Sequence, residues 1–195
     1  MGWFNVGLSC LTAPREVFFE PEAARLVAWP VHELKTLRNA TLADLKPLQL
    51  PPGSSLQVFK NSLTFDLEIN VTLQSTPVQF AIAVAAKSAS EAVVMVNVSV
   101  SSATSNGLRE VNVTGDFPGF VAPMSFLIRE TPAILPIRVL GDRTVAEIFV
   151  AGAAVTAPIG NANDSTGAYV RAGGSALSIQ SAKAWDMGCG WSKYP

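Results

Sequence analysis

The stretch Leu63-Thr64-Phe65-Asp66-Leu67-Glu68-Ile69-Asn70-Val71 decides the fold. Apolar residues occupy every odd position, and three of the four even positions carry a charge or an amide. A period of two puts one set of side chains on each face of an extended strand, one face buried and one wet. Val78, Phe80, Ile82 and Val84 repeat the pattern. Val94, Val96, Val98 and Val100 do so again, with Asn97, Ser99 and Ser101 between or beside them. Strands with one apolar face pair as antiparallel sheets and stack face to face.

Shorter candidate strands flank these. They are Val17 to Phe19, Arg25 to Ala28, Leu56 to Phe59, Leu108 to Val113 and Ser125 to Arg129. Ile137 to Leu140, Val145 to Val150, Ala168 to Arg171 and Ala176 to Ile179 follow. Pro, Gly, Ser and Asn punctuate the gaps, and Ser99 to Ser105 reads as a strand end with a hairpin loop. About a dozen short strands predict an all-β, two-layer antiparallel sandwich. Val31 to Arg38, with Val31, Leu34 and Leu37 every third residue, reads as one or two helical turns or a docking loop. There is no βαβ alternation, no internal repeat, no linker, and neither a dinucleotide nor a P-loop glycine pattern.

The bulk numbers agree with one domain of 195 residues. At this length a chain buries about 70% of its unfolded surface and needs neither metal nor disulfide. Net charge is −1 without a basic cluster, which argues against a nucleic-acid partner. No apolar run approaches a membrane span, and the N-terminus does not read as a signal peptide. Met1-Gly2 is followed at position 6 by Val6, which discounts myristoylation. Charged residues make up only 15% and apolar residues 49%. Either a surface meant for another body is bare, or glycans solubilise it; both can hold. Cys10 and Cys189 lack zinc-ligand spacing and leave two readings open, a bridge or two unpaired thiols.

Candidate chemistry is sparse. His32 is the single histidine, so any histidine-based triad depends on it, yet no activated nucleophile neighbours it in sequence. Glu147 alternates with Ala146 and Ile148 and reads as an outward strand residue; a carboxylic acid poised by burial is the alternative. Asp142-Arg143 reads as a hairpin entry with a local ion pair. No cluster of metal ligands stands out, and no cofactor is expected. Trp3, Trp29, Trp185 and Trp191 are either sugar platforms or packing residues. Five Asn-X-Ser/Thr sequons, at Asn39, Asn70, Asn97, Asn112 and Asn163, make N-glycosylation and a secreted or vacuolar location the expectation. The alternative is a Thr- and Ser-rich β-protein in which Asn-Val-Thr arises through alternation.

Two segments carry a resemblance. The first holds Gly2-Trp3-Phe4, Leu11-Thr12-Ala13-Pro14-Arg15-Glu16, Arg25-Leu26-Val27, Pro30-Val31-His32-Glu33-Leu34 and Leu37-Arg38. The second holds Ile137-Arg138-Val139-Leu140 and Asp142-Arg143-Thr144-Val145-Ala146-Glu147-Ile148-Phe149-Val150, followed later by Ala184-Trp185-Asp186-Met187. In this order they resemble the C-terminal β-sandwich of glycoside hydrolase family 32, the invertases, β-fructofuranosidases and fructan hydrolases. The family's Leu-Pro-Arg is Ala13-Pro14-Arg15 here, and Leu42 to Pro123 matches only as generic strands.

The resemblance implies a junction segment at residues 1–40, leading from a catalytic propeller absent from this chain, and the sandwich at residues 41–195. It implies interdomain contact through Trp3, Arg15, Trp29 and His32. Family members cleave β-fructofuranosides with retention, which needs two carboxyl groups about 5–5.5 Å apart. The family's Asn-Asp-Pro, Arg-Asp-Pro and Glu-Cys motifs do not occur here. The expectation is a non-catalytic companion, inactive alone, whose partner is the propeller, with carbohydrate or a second copy as further candidates. The competing expectation is a stand-alone carbohydrate-binding or adhesion module.

Overall fold

The computed structural model describes residues 13–117, 123–131, 133–159 and 166–188. These form fifteen strands and one short 3-10 helix, the expected all-β sandwich. In chain order the strands are β1 (Arg15–Glu20), β2 (Arg25–Pro30), β3 (Arg38–Leu45), β4 (Leu48–Leu50) and β5 (Ser55–Lys60). Next come β6 (Thr64–Thr72), β7 (Val78–Ser88), β8 (Glu91–Val100), β9 (Leu108–Asp116) and β10 (Met124–Arg129). The last are β11 (Ile134–Asp142), β12 (Val145–Val150), β13 (Ala153–Pro158), β14 (Gly167–Ala172) and β15 (Leu177–Met187). The stretch read as helical turns or a docking loop is the 3-10 helix His32–Leu37, with no fully buried side chain.

One layer has the order β10-β9-β8-β7-β14-β5 and the other β13-β12-β11-β6-β15-β3, with β4 also pairing β15. The alternating residues meet between the layers. Phe65, Leu67, Ile69 and Val71 of β6 face Ile82 and Val84 of β7 and Val94, Val96 and Val98 of β8 in one core cluster. All of these are essentially out of solvent. Close packing sets one tight contact: a Cβ at Gly141 on β11 would lie 2.3 Å from the ring of Phe65.

Three strands escaped the sequence reading: β3, β4 and β13. β3 and β13 are edge strands, and β4 covers only part of one side of β15. Their residues, Arg-Asn-Ala-Thr-Leu-Ala-Asp-Leu and Ala-Ala-Val-Thr-Ala-Pro, are rich in alanine and carry Asn, Asp or Pro, types depleted in strands. Such sequences form strands only because a neighbour offers a ladder, and Pro158 is tolerated at a strand end on an edge. Asp142 and Arg143 do form the β11–β12 hairpin, with Arg143 at φ +46°, but no ion pair joins them among the described residues.

β1 and β2 belong to neither layer. They pair antiparallel as a separate hairpin, Arg15 opposite Pro30 and Glu20 opposite Arg25. The hairpin lies against the outer side of the seven-stranded sheet and reaches its edge: the Ala28 N–H donates to the Gly152 carbonyl at 2.9 Å. Gly152 takes φ +81°, and a Cβ there would sit 2.3 Å from Val27 Cγ1. No helix among the described residues is long and apolar enough to cross a membrane.

Candidate docking surface

The outer face of the seven-stranded sheet is not the wet face that alternation predicts. β6 directs Asp66, Glu68 and Asn70 to that side. Asp66 is fully buried. Its Oδ1 accepts from Arg138 Nε and its Oδ2 from Arg138 Nη2, both at 2.9 Å. Arg38 Nε donates to the same Oδ2 at 2.7 Å, and Arg38 Nη2 continues to Glu68. Lys35 Nζ stands 3.5 Å from Glu68. The Arg38 guanidinium lies 3.6 Å from the ring centroid of Trp185, opposite Asp66 on β15. A buried carboxylate needs this many donors, because an unpaired charge out of water is strongly unfavourable.

The hairpin covers this network. Arg138 Nη1 donates to the Pro30 carbonyl at 3.4 Å. Trp29 stacks on Phe149, centroids 6.3 Å apart, and the Arg15 guanidinium lies 5.1 Å from the same Phe149 ring. Arg15 Nη2 donates to Glu147 Oε1 at 3.2 Å, and the Ala13 N–H reaches both carboxylate oxygens at 3.2 Å. Glu147 does project from the outer face, but it is buried, contrary to the outward, solvated reading. The hairpin supplies the cover, and local alternation carries no information about a segment more than a hundred residues away. At its far end the hairpin crosses to the other layer. Arg129 of β10 pairs with Glu20 and Glu22, and the Arg25 guanidinium lies 4.9 Å from the Phe126 ring. The hairpin therefore straps one open side of the sandwich.

Its own outer side is bare. Val17 is 61% exposed, Phe19 59% and Leu26 70%, with Phe19 directly opposite Leu26. These are the most exposed large apolar residues among those described, and Phe18 is also half-exposed. An exposed apolar cluster of this kind is a candidate interaction site. The sequence signal was present: Val17-Phe18-Phe19 is apolar at three successive positions, so both faces of that strand are apolar.

The residues singled out from sequence divide by face. Trp29, His32 and Asn70 line one groove of about 430 Å³ between the hairpin and the sheet, with Glu16, Lys35 and Glu68. Arg15 lies on the same face in its pair with Glu147. Asn70 is partly buried and its Nδ2 donates to Ser181 Oγ at 3.1 Å. Asn39 is exposed on edge strand β3. Asn97 and Asn112 lie across the molecule, on the outer face of the six-stranded sheet. Trp3, Asn163, Cys10, Cys189 and Trp191 lie outside the described residues. Asp66, Arg38 and Arg138, which organise the face, were not singled out from the sequence as a site. No group of three or more metal-ligating side chains occurs among the described residues.

Fold and surface together define an antiparallel two-sheet sandwich with an N-terminal hairpin strap. The chain belongs to the family described as glycosyl hydrolases family 32 C terminal, whose profile matches residues 33–186. No curated protein sequence matches the chain. Among solved structures, fructan 1-exohydrolase IIa from Cichorium intybus aligns with a TM-score of 0.66 and 18% identity, over 90% of this chain and 40% of its own. Exo-inulinase from Aspergillus awamori aligns at 0.58 and 17%, over 90% and 35%. Sucrose-6-phosphate hydrolase from Lactobacillus gasseri aligns at 0.51 and 14%, over 89% and 33%. At these identities the likeness is one of fold. The chain spans well under half the length of each.

Proposed function

We propose that this chain is the non-catalytic C-terminal domain of a hydrolase acting on β-fructofuranosides such as sucrose or fructans, and that it supports an N-terminal catalytic propeller. The observation that carries the reading is the bare apolar side of the strap, Val17, Phe19 and Leu26. It lies just before the family-matched region, where a preceding domain would enter. Residues 1–40 then act as the junction, with Arg15 and Trp29 fastening the strap and His32 beside the groove. The three acidic side chains gathered on this face, Asp66, Glu68 and Glu147, are each held by a guanidinium. None of them is free to attack a substrate carbon. Specificity would reside in the propeller.

The test has two arms. The purified chain is incubated with sucrose, 1-kestose and inulin, and released fructose is measured; none is expected. The transcript is extended upstream, and an open frame carrying Asn-Asp-Pro and Arg-Asp-Pro is expected. Fructose release that co-purifies with the chain, or an upstream frame of unrelated type, overturns the reading.

A secreted or vacuolar location is part of the proposal, supported by the exposure of the sequon at Asn39. Glycopeptide mapping of protein secreted from a eukaryotic host tests it. Modification at Asn39 supports it, and an unmodified Asn39 counts against it.

A further inference from the structure

We infer that the outer face of the six-stranded sheet holds a second, independent site: a shallow trough for a neutral oligosaccharide. The trough measures about 480 Å³, within the range of small-molecule sites. It lies on the side of the sandwich away from the strap, and it goes beyond the docking role proposed above.

Its walls are polar side chains held in register by four neighbouring strands. Gln79 of β7, Ser99 of β8 and Asn112 of β9 stand in one row. Arg171 of β14, Ala81 of β7, Asn97 of β8 and Thr114 of β9 stand in the next. The trough exists because β7 places Ala81 between the larger Arg171 and Asn97, so the middle of the row is low. Met95 adds apolar surface at the border. Adjacent strands lie about 4.7–4.9 Å apart, roughly the breadth of one sugar ring.

The side chains Gln79, Asn97, Ser99, Asn112, Thr114 and Arg171 enter no hydrogen bond or ion pair with other described residues. The contrast with the opposite face is direct, since there Asp66, Glu68 and Glu147 are each held by a guanidinium. Amides and hydroxyls both donate and accept, which suits the hydroxyls of a sugar. An anionic ligand would need several cations, and Arg171 is the single one lining the trough. A peptide strand would pair with an edge rather than a face. An apolar ligand would cover the trough's amides, hydroxyls and guanidinium without giving them partners. Neutral, hydroxyl-rich ligands are left. With no exposed aromatic ring in the lining, binding should be weak, with Kd on the order of 1 mM.

The experiment is a titration of the isotope-labelled full chain, made in a bacterial host so that Asn97 and Asn112 keep free amides. Backbone amide shifts are followed by NMR with nystose as probe and maltotetraose in parallel. Saturable shifts at Gln79, Asn97, Asn112 and Arg171 with either sugar, weakened at least tenfold in the Asn97→Ala, Arg171→Ala double variant of unchanged Tm, support the trough. Binding of maltotetraose alone supports a saccharide site while detaching it from fructans. No shifts at 50-fold excess over the expected Kd overturn it, as do shifts confined to Arg15–Pro30 or unaffected by the double variant. None of these outcomes depends on whether the strap docks a catalytic domain.

Discussion

Arg138 grips Asp66 with two parallel hydrogen bonds of 2.9 Å, a fork-to-fork pair between adjacent strands of one sheet. The carboxylate has no solvent exposure, and the guanidinium side chain has 8%. A buried pair of this geometry stabilises little over a well-packed apolar pair, but breaking it leaves the buried carboxylate with Arg38 as its remaining partner and Oδ1 without a donor.

Arg138→Ala should therefore destabilise the fold by about 1–3 kcal/mol, the cost of leaving Asp66 Oδ1 without a donor while Arg38 still holds Oδ2. The double variant Asp66→Leu, Arg138→Met should lose clearly less than that single change, because no buried carboxylate is left short of donors and Arg38 keeps Glu68 and Trp185. Urea unfolding followed by tryptophan fluorescence measures both. Equal losses would mean that the pair itself, and not the carboxylate left short of a donor, decides the cost.

Glu147→Ala should loosen the N-terminal end of the strap while leaving the two layers intact. Removal of the carboxylate frees Arg15 and the Ala13 amide, about 1–3 kcal/mol for groups left unsatisfied. Hydrogen exchange should accelerate from Arg15 to Glu20 and stay unchanged in β6 to β9. Acceleration across β6 instead would show that the strap and the core unfold together.

Gly152→Ala should weaken the strap from the other side. The residue has φ +81°, and the new methyl would overlap Val27 Cγ1. Strain and overlap together amount to about 1–3 kcal/mol. Limited proteolysis at the Glu20–Arg25 turn should become faster, with the released body still cooperatively folded. Unchanged cleavage would show that the strap shifts freely over β13.

Phe19→Ser with Leu26→Lys should leave thermal stability within about 0.5 kcal/mol, since both side chains are exposed. Sedimentation velocity of the unaltered chain should show concentration-dependent association that this double variant removes. Identical sedimentation of the two proteins would show that the apolar patch attracts nothing.

How far the sequence carried can be seen residue by residue. Phe65, Leu67, Ile69 and Val71 named the core face of β6 from alternation alone. Asp66 was equally visible as the alternate, yet alternation says only that a side chain leaves the core, not whether another segment then covers it. Glu147 failed for that reason. The edge strands β3 and β13 failed for another: their residues lean on a neighbour's ladder and carry little preference of their own. Val17-Phe18-Phe19 was read as a strand but not as a surface. Seeing it as a surface required knowing that Val27 and Trp29 fill the inner side of the hairpin and leave Phe19 and Leu26 outside.

The strap also sets an order of events during synthesis. Ala13 and the carboxylate that receives it are separated by 134 positions in the chain. At translation speeds of about 5–20 residues per second, the hairpin emerges many seconds before β12 exists to receive it. Through that interval Val27 and Trp29, which fill its inner side, have no sheet to lie on. Under the junction role proposed above, a preceding catalytic domain would be the first folded surface that the segment meets.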